Sequence, residues 1–124
     1  MLGYQVSFDL FDCDPSVLDA PAEIEATVRA LAASIGATVL NVSTHRFAPQ
    51  GLSCIAQISA SHIALHTWPE NRFASVDVFS CTRRVDAAAL TDLLRAAFGS
   101  SNQSCTEVPR GAGLRSPFFR EVEP

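Results

Sequence analysis

Between Thr38 and Cys81 the chain moves from one strand-like pattern to the next with only short turns between them. Thr38 to Phe47 is rich in β-branched residues and closes on Ala48-Pro49-Gln50-Gly51, a turn-forming run. Leu52 to Ser59 sets Leu52, Cys54, Ala56 and Ile58 against Ser53, Ile55, Gln57 and Ser59. Both sets contain apolar residues, which predicts an interior strand. His62 to Thr67 reads as a further strand, Trp68-Pro69-Glu70-Asn71-Arg72 as a loop, and Phe73 to Cys81 as the next strand. In the last of these, Ala74, Val76 and Val78 oppose Ser75, Asp77 and Phe79. This succession predicts an antiparallel sheet.

The flanking segments supply the rest of the architecture. Tyr4 to Phe11 alternates Val6, Phe8 and Leu10 with Ser7 and Asp9, the pattern of a half-buried strand, and Asp12-Cys13-Asp14-Pro15-Ser16 ends it with turn residues. From about Ala20 to Ile35, the residues Ile24, Val28, Leu31 and Ile35 form one helical stripe. Asp19 is suited to cap this helix, Pro21 to its first turn and Gly36 to its exit. Asp86 to Phe98 is a second helix with Leu90, Leu93, Leu94 and Ala97 as its buried side and Gly99 beyond its end. Gln103 to Val108 is a last short strand. The tail, with Pro109, Gly111, Gly113, Pro117 and Pro124, is rich in turns. The order β-α-β-β-β-β-α-β predicts an α+β fold, an antiparallel β-sheet with two helices on one face. The 124 residues form a single domain.

Composition excludes some functions. The formal net charge is -4 with no lysine- or arginine-rich run, which argues against a nucleic-acid surface. No apolar run approaches the roughly 18 residues of a membrane span, and Met1-Leu2-Gly3-Tyr4-Gln5 lacks a signal-peptide pattern. A cytoplasmic protein without membrane contact is expected. The four cysteines, Cys13, Cys54, Cys81 and Cys105, are widely spaced, which points to free thiols.

Chemistry is concentrated in Ser61-His62-Ile63-Ala64-Leu65-His66-Thr67-Trp68-Pro69-Glu70 and the following Asp77-Val78-Phe79-Ser80-Cys81. Read locally, Ser61 is a turn serine, Ser53 an outward strand serine and His66 a hydrogen-bonded histidine. Phe47 and Trp68 read as core aromatics, Glu70 as a solvated carboxylate and all four cysteines as inert. His62 and His66, with Cys81 or His45, supply no full metal-ligand set, so no metal is expected. Ala60 and Ile63 stand where a serine-hydrolase elbow needs glycines.

The same stretch resembles the signature of the short prokaryotic S-adenosylmethionine decarboxylases. His45-Arg46-Phe47 with Pro49 and Gly51-Leu52-Ser53, and Phe8-Asp9-Leu10-Phe11-Asp12-Cys13-Asp14, fit that family as well. The resemblance implies that the Ser61 hydroxyl attacks the Ala60 carbonyl, and that the resulting ester breaks by β-elimination. That would leave residues 1–60 and 61–124 as two chains, with a covalent pyruvoyl cofactor derived from Ser61. It assigns processing roles to Ser53 and His66, a catalytic role to His66, and protonation of the decarboxylated carbon to Cys81. Phe47, Trp68 and Glu70 are assigned to binding S-adenosylmethionine, the aromatics by stacking and the carboxylate by accepting ribose hydroxyls. It further implies a homodimer with active sites near its interface and a product that supplies the aminopropyl group of spermidine. The alternatives are a pyruvoyl-dependent decarboxylase of ornithine or arginine, and an unprocessed homologue acting only as a binding partner.

The chain departs from the family pattern at Ala60, where an acidic residue is common, at Thr82, which replaces a glycine, and at Gln5, where a histidine is frequent. Residues five apart on a regular strand point to opposite faces, so Ser61 and His66 can serve one site only if the backbone is irregular near Ser61. A turn at Ala60-Ser61 or a bulge is therefore predicted.

Overall fold

The computed structural model describes residues 1–120. The strands are β1 (Gly3–Phe11), β2 (Val39–Arg46), β3 (Leu52–Ile58), β4 (Ser61–Trp68), β5 (Phe73–Ser80) and β6 (Asn102–Arg110). They form one sheet in the order β2-β3-β4-β5-β1-β6, and every pair is antiparallel. The helices are α1 (Pro15–Leu18), α2 (Pro21–Ser34) and α3 (Ala87–Phe98). The expected α+β architecture is present, with one extra short helix.

That helix explains a misread turn. Asp14 caps α1 through a bond from the Ser16 amide to its carboxylate, so a run of turn residues becomes a helix start. Asp19, expected to cap α2, does not. The α2 cap is Ala20, which has no side-chain bond, and the Asp19 carboxylate accepts instead from the Gly51 amide at 3.0 Å. Gly36 and Gly99 leave their helices at φ 69° and 64°, as expected of C-terminal glycines. β6 runs longer than Gln103 to Val108 because it follows the whole of β1, from Gly3 opposite Arg110 to Phe11 opposite Asn102.

Strand alternation determines where the core lies. Val6, Phe8, Leu10, Leu52, Cys54, Ala56, Ile63, Leu65, Val76 and Val78 all point to one side and are fully buried. Against them lie Ile24, Val28 and Leu31 of α2 and Leu90, Leu94 and Phe98 of α3. Each valine, leucine, isoleucine or phenylalanine of this set contributes about 1.5–3 kcal/mol on burial. In α3, Leu93 and Ala97 are only partly buried, and Phe98 takes the inner position.

Both crossovers lie on this side of the sheet. α2 contacts β2, β3 and β4, while α3 contacts β1 and β6. The opposite face has no helix against it. It carries His45, Ser53, Ile55, His62, His66, Trp68, Phe73, Asp77 and Phe79, all half-buried or exposed. Near the tail, Phe118 is exposed, whereas Phe119 is 7% exposed and joins the core. Pro124 lies outside the described residues.

Candidate active site

The uncovered face has a cavity at one end of β3 and β4, about 300 Å³ in volume. Its lining includes Phe47, Ser53, His66, Trp68 and Glu70, five of the residues singled out in the sequence. The antiparallel register places Ser53 directly opposite His66, and a 2.6 Å hydrogen bond joins Ser53 Oγ to His66 Nδ1. Phe47 leaves β2 with its ring against His45, 4.7 Å between centroids. Trp68 ends β4, and its ring lies on Phe73 at 5.5 Å. The short 3₁₀ turn Pro69–Asn71 carries Glu70 to the rim.

Gly51 and Thr67 hold this end together. Gly51 has φ 100°, and a Cβ there would stand 3.0 Å from the Thr67 carbonyl. A side chain at position 51 would therefore be strained and crowded. Thr67, almost fully buried, donates its hydroxyl to the Leu18 carbonyl at 2.8 Å. It also accepts from the Leu52 amide at 2.9 Å. Sequence reasoning placed Gly51 in a turn but missed the part of Thr67, because a buried threonine in an alternating strand carries no local signal of its partners.

Ser61 lies at the opposite end of β4. Ser59 and Ala60 form the two-residue turn between β3 and β4, with Ile58 paired to Ser61. The expected irregularity is present, although the turn falls one residue earlier than Ala60-Ser61. Ser61 has φ 148°, a conformation that costs a non-glycine residue on the order of 1–3 kcal/mol. Its hydroxyl lies 3.5 Å from Nδ1 of His62, whose ring packs on Phe79 on the uncovered face.

The carbonyl of Ala60, which belongs to the Ala60-Ser61 peptide bond, accepts two hydrogen bonds from one residue. The Cys81 amide donates at 2.7 Å and the Cys81 thiol at 3.0 Å. Two donors on one carbonyl oxygen stabilise negative charge there when a nucleophile adds to the carbon. The buried Ser80 hydroxyl shapes the loop that presents Cys81, accepting from the Thr82 and Arg83 amides at 3.4 and 3.3 Å. The local chemistry thus suits conversion of Ser61 by its own hydroxyl, and the departure at Ala60 leaves the carbonyl and its donors in place.

Cys13 and Cys54 are buried; burial pushes the Cys13 thiol up to about 11 and raises that of Cys54. Cys105, also read as inert, is exposed because edge strand β6 receives no full cover, and desolvation still raises its pKa. Among the described residues, no group of three or more His, Cys, Asp or Glu could hold a metal ion. None of their helices is long and apolar enough to cross a membrane.

Ser61 and His66 are five positions apart on β4, roughly 17 Å along a strand. Ser53 lies beside His66, so the pair expected to help in processing lies far from the bond to be processed. Within one chain, the described residues fall into two groups at opposite ends of β4: Ala60, Ser61 and Cys81 at one end, and the lined cavity at the other.

The S-adenosylmethionine decarboxylase family model matches residues 4–111. The S-adenosylmethionine decarboxylase proenzyme of Prochlorococcus marinus is 39% identical over 110 residues, covering 89% of this chain and 88% of that protein. That of Caldicellulosiruptor saccharolyticus is 40% identical over 110 residues, covering 89% of each. The crystal structure of the adenosylmethionine decarboxylase from Aquifex aeolicus has a similar fold, with a TM-score of 0.79 at 24% identity. It covers 93% of this chain and 95% of that one.

Proposed function

The chain belongs to the S-adenosylmethionine decarboxylase family, and from that premise we propose that it decarboxylates S-adenosylmethionine with a pyruvoyl group made from its own Ser61. The product supplies the aminopropyl donor for spermidine. The observation that carries the reading is the Ala60 carbonyl, held by the amide and thiol of Cys81 beside a strained Ser61.

The Ser61 hydroxyl adds to that carbonyl, and the two Cys81 donors stabilise the oxyanion. Collapse shifts the acyl group from nitrogen to oxygen and releases the strain at Ser61. Cleavage then yields chains of residues 1–60 and 61–124. The pyruvoyl group would supply an electron sink for the pair left on the α-carbon as carbon dioxide departs. Phe47 and Trp68 hold the adenine and the sulfonium side of the substrate, and Glu70 accepts from the ribose hydroxyls. Ser53 fixes the His66 ring for proton transfer. The Cys81 thiol, freed from the Ala60 carbonyl by cleavage, delivers the proton to the α-carbon.

The working unit in this reading is a homodimer. A separation of roughly 17 Å cannot be crossed by a proton transfer within one chain, and a two-fold packing of the uncovered faces would set the His66 end of one copy over the Ser61 end of the other. The apolar residues open on that side, Ile55 at 49% exposure and Trp68 at 40%, favour such a contact.

Intact-mass spectrometry should give two chains, the larger blocked by pyruvoyl, and the protein should release carbon dioxide from S-adenosylmethionine. A single unchanging mass would end the proposal. Glu70→Gln should impair turnover of the adenosyl substrate, and unchanged turnover would point to a substrate without ribose. Ser61→Ala and His66→Ala chains should each stay uncleaved alone. Mixed dimers should cleave the His66→Ala chain, and failure to do so would refute the shared site.

A further inference from the structure

Self-cleavage at Ala60 creates a carboxylate where the intact chain has a neutral amide, and that charge needs somewhere to go. Ser59 and Ala60 line an open cavity of about 550 Å³ that is distinct from the one around His66. Arg83 and Arg120 line it as well, and none of its lining residues is acidic. Arg83 is held there by its guanidinium, which donates to the Ile35 carbonyl. Gly36 makes room for this, since a Cβ at that position would lie 2.6 Å from the Arg83 guanidinium. Arg120 is brought to the cavity by its backbone: its amide donates to the Thr82 carbonyl at 2.7 Å, and the buried Phe119 anchors the segment.

We propose that Arg83 and Arg120 form a receptor for the Ala60 carboxylate expelled during self-cleavage. The inference rests on the reading above, that Ser61 becomes the cofactor. After the acyl shift, the Ala60 carbonyl carbon is bonded to Ser61 Oγ. A general base removes the Ser61 α-proton, a double bond forms between Cα and Cβ, and the Cβ–Oγ bond breaks. The electron pair leaves on the Ala60 carboxylate and the proton stays on the base. Water then replaces the nitrogen, released as ammonia, to leave the ketone. A guanidinium in the cavity that Ala60 lines stabilises the leaving group as its charge develops and retains it afterwards. The arginines therefore act at the elimination and not at the acyl shift, which Cys81 serves.

The test follows cleavage by intact mass, with and without neutral hydroxylamine, which splits esters and leaves amides whole. The proteins are the wild type, Arg120→Gln, Arg83→Gln/Arg120→Gln and Arg83→Lys/Arg120→Lys. The double glutamine variant should form the blocked chain roughly a hundred-fold more slowly. It should also accumulate full-length ester that hydroxylamine converts to a residue 1–60 hydroxamate and a 61–124 chain keeping its serine. The lysine pair should restore most of the rate. Arg120→Gln tests the idea should loss of the Arg83 bond unfold the double variant, because the tail is tied down through the backbone at Arg120; it should also accumulate ester. Cleavage at the wild-type rate in the glutamine variants would overturn the proposal. So would a folded variant stalled as an amide that hydroxylamine leaves whole. A wild type that itself remains one full-length amide would instead bring down the self-cleavage reading, and this inference with it.

Discussion

The strain at Ser61 can be measured apart from any chemistry by comparing Ser61→Gly with Ser61→Ala. Neither variant has the hydroxyl, so both stay as one chain and differ in backbone preference. At φ 148°, alanine retains a penalty on the order of 1–3 kcal/mol that glycine escapes. Glycine gives back about 0.4–1 kcal/mol through the greater entropy of its unfolded chain. The net expectation is that the glycine variant is more stable by about 1 kcal/mol. With a urea m-value of ~1.5 kcal/mol/M, that moves the unfolding midpoint up by roughly 0.7 M. Both must be unfolded at the same protein concentration, since association would add to either stability. Equal midpoints, or a more stable alanine variant, would refute the claim that the folded chain holds Ser61 under strain.

Other expectations follow from single contacts. Cys81→Ala removes the thiol donor at 3.0 Å but keeps the amide, so self-cleavage should slow by roughly a hundred-fold, the lower side of losing one oxyanion donor; a time course by denaturing gel checks it. Thr67→Val leaves the Leu52 amide and the Leu18 carbonyl without their buried partner, and should cost about 2–3 kcal/mol in urea unfolding. Iodoacetamide at pH 8 should label exposed Cys105 in the folded protein while sparing buried Cys13 and Cys54. Raised thiol pKa values mean less thiolate at that pH, so labelling should accelerate as pH rises; early labelling of Cys13 would contradict its burial.

Most of the fold was legible in the sequence because its strands bury one face only. Alternation in β1, β3 and β5 named the inward residues, and Gly36 and Gly99 marked helix exits by their need for positive φ. Errors arose where tertiary contacts decide. Asp19 has the chemistry of a cap, yet the Gly51 amide, 32 residues away, claims its carboxylate. Phe118 and Phe119 look alike in a turn-rich tail, and only the packing separates the buried one from the exposed one.

The candidate site was legible as a set of residues but not as a place. A ten-residue run such as Ser61 to Glu70 suggests one cluster, because proximity in sequence is readily taken for proximity in space. An extended strand inverts that expectation: it holds Ser61 and His66 about as far apart as five residues can be. It also gives each end neighbours from elsewhere in the chain, Cys81 and Arg83 at one end, Ser53 and Phe47 at the other. The positive φ at Ser61 makes the backbone irregular there but cannot shorten the strand. The proposed pairing of two copies removes the difficulty, and the same contact would bury the face that the helices leave open. Disruption of that contact should therefore abolish processing and association together, whereas an exposed substitution elsewhere should affect neither.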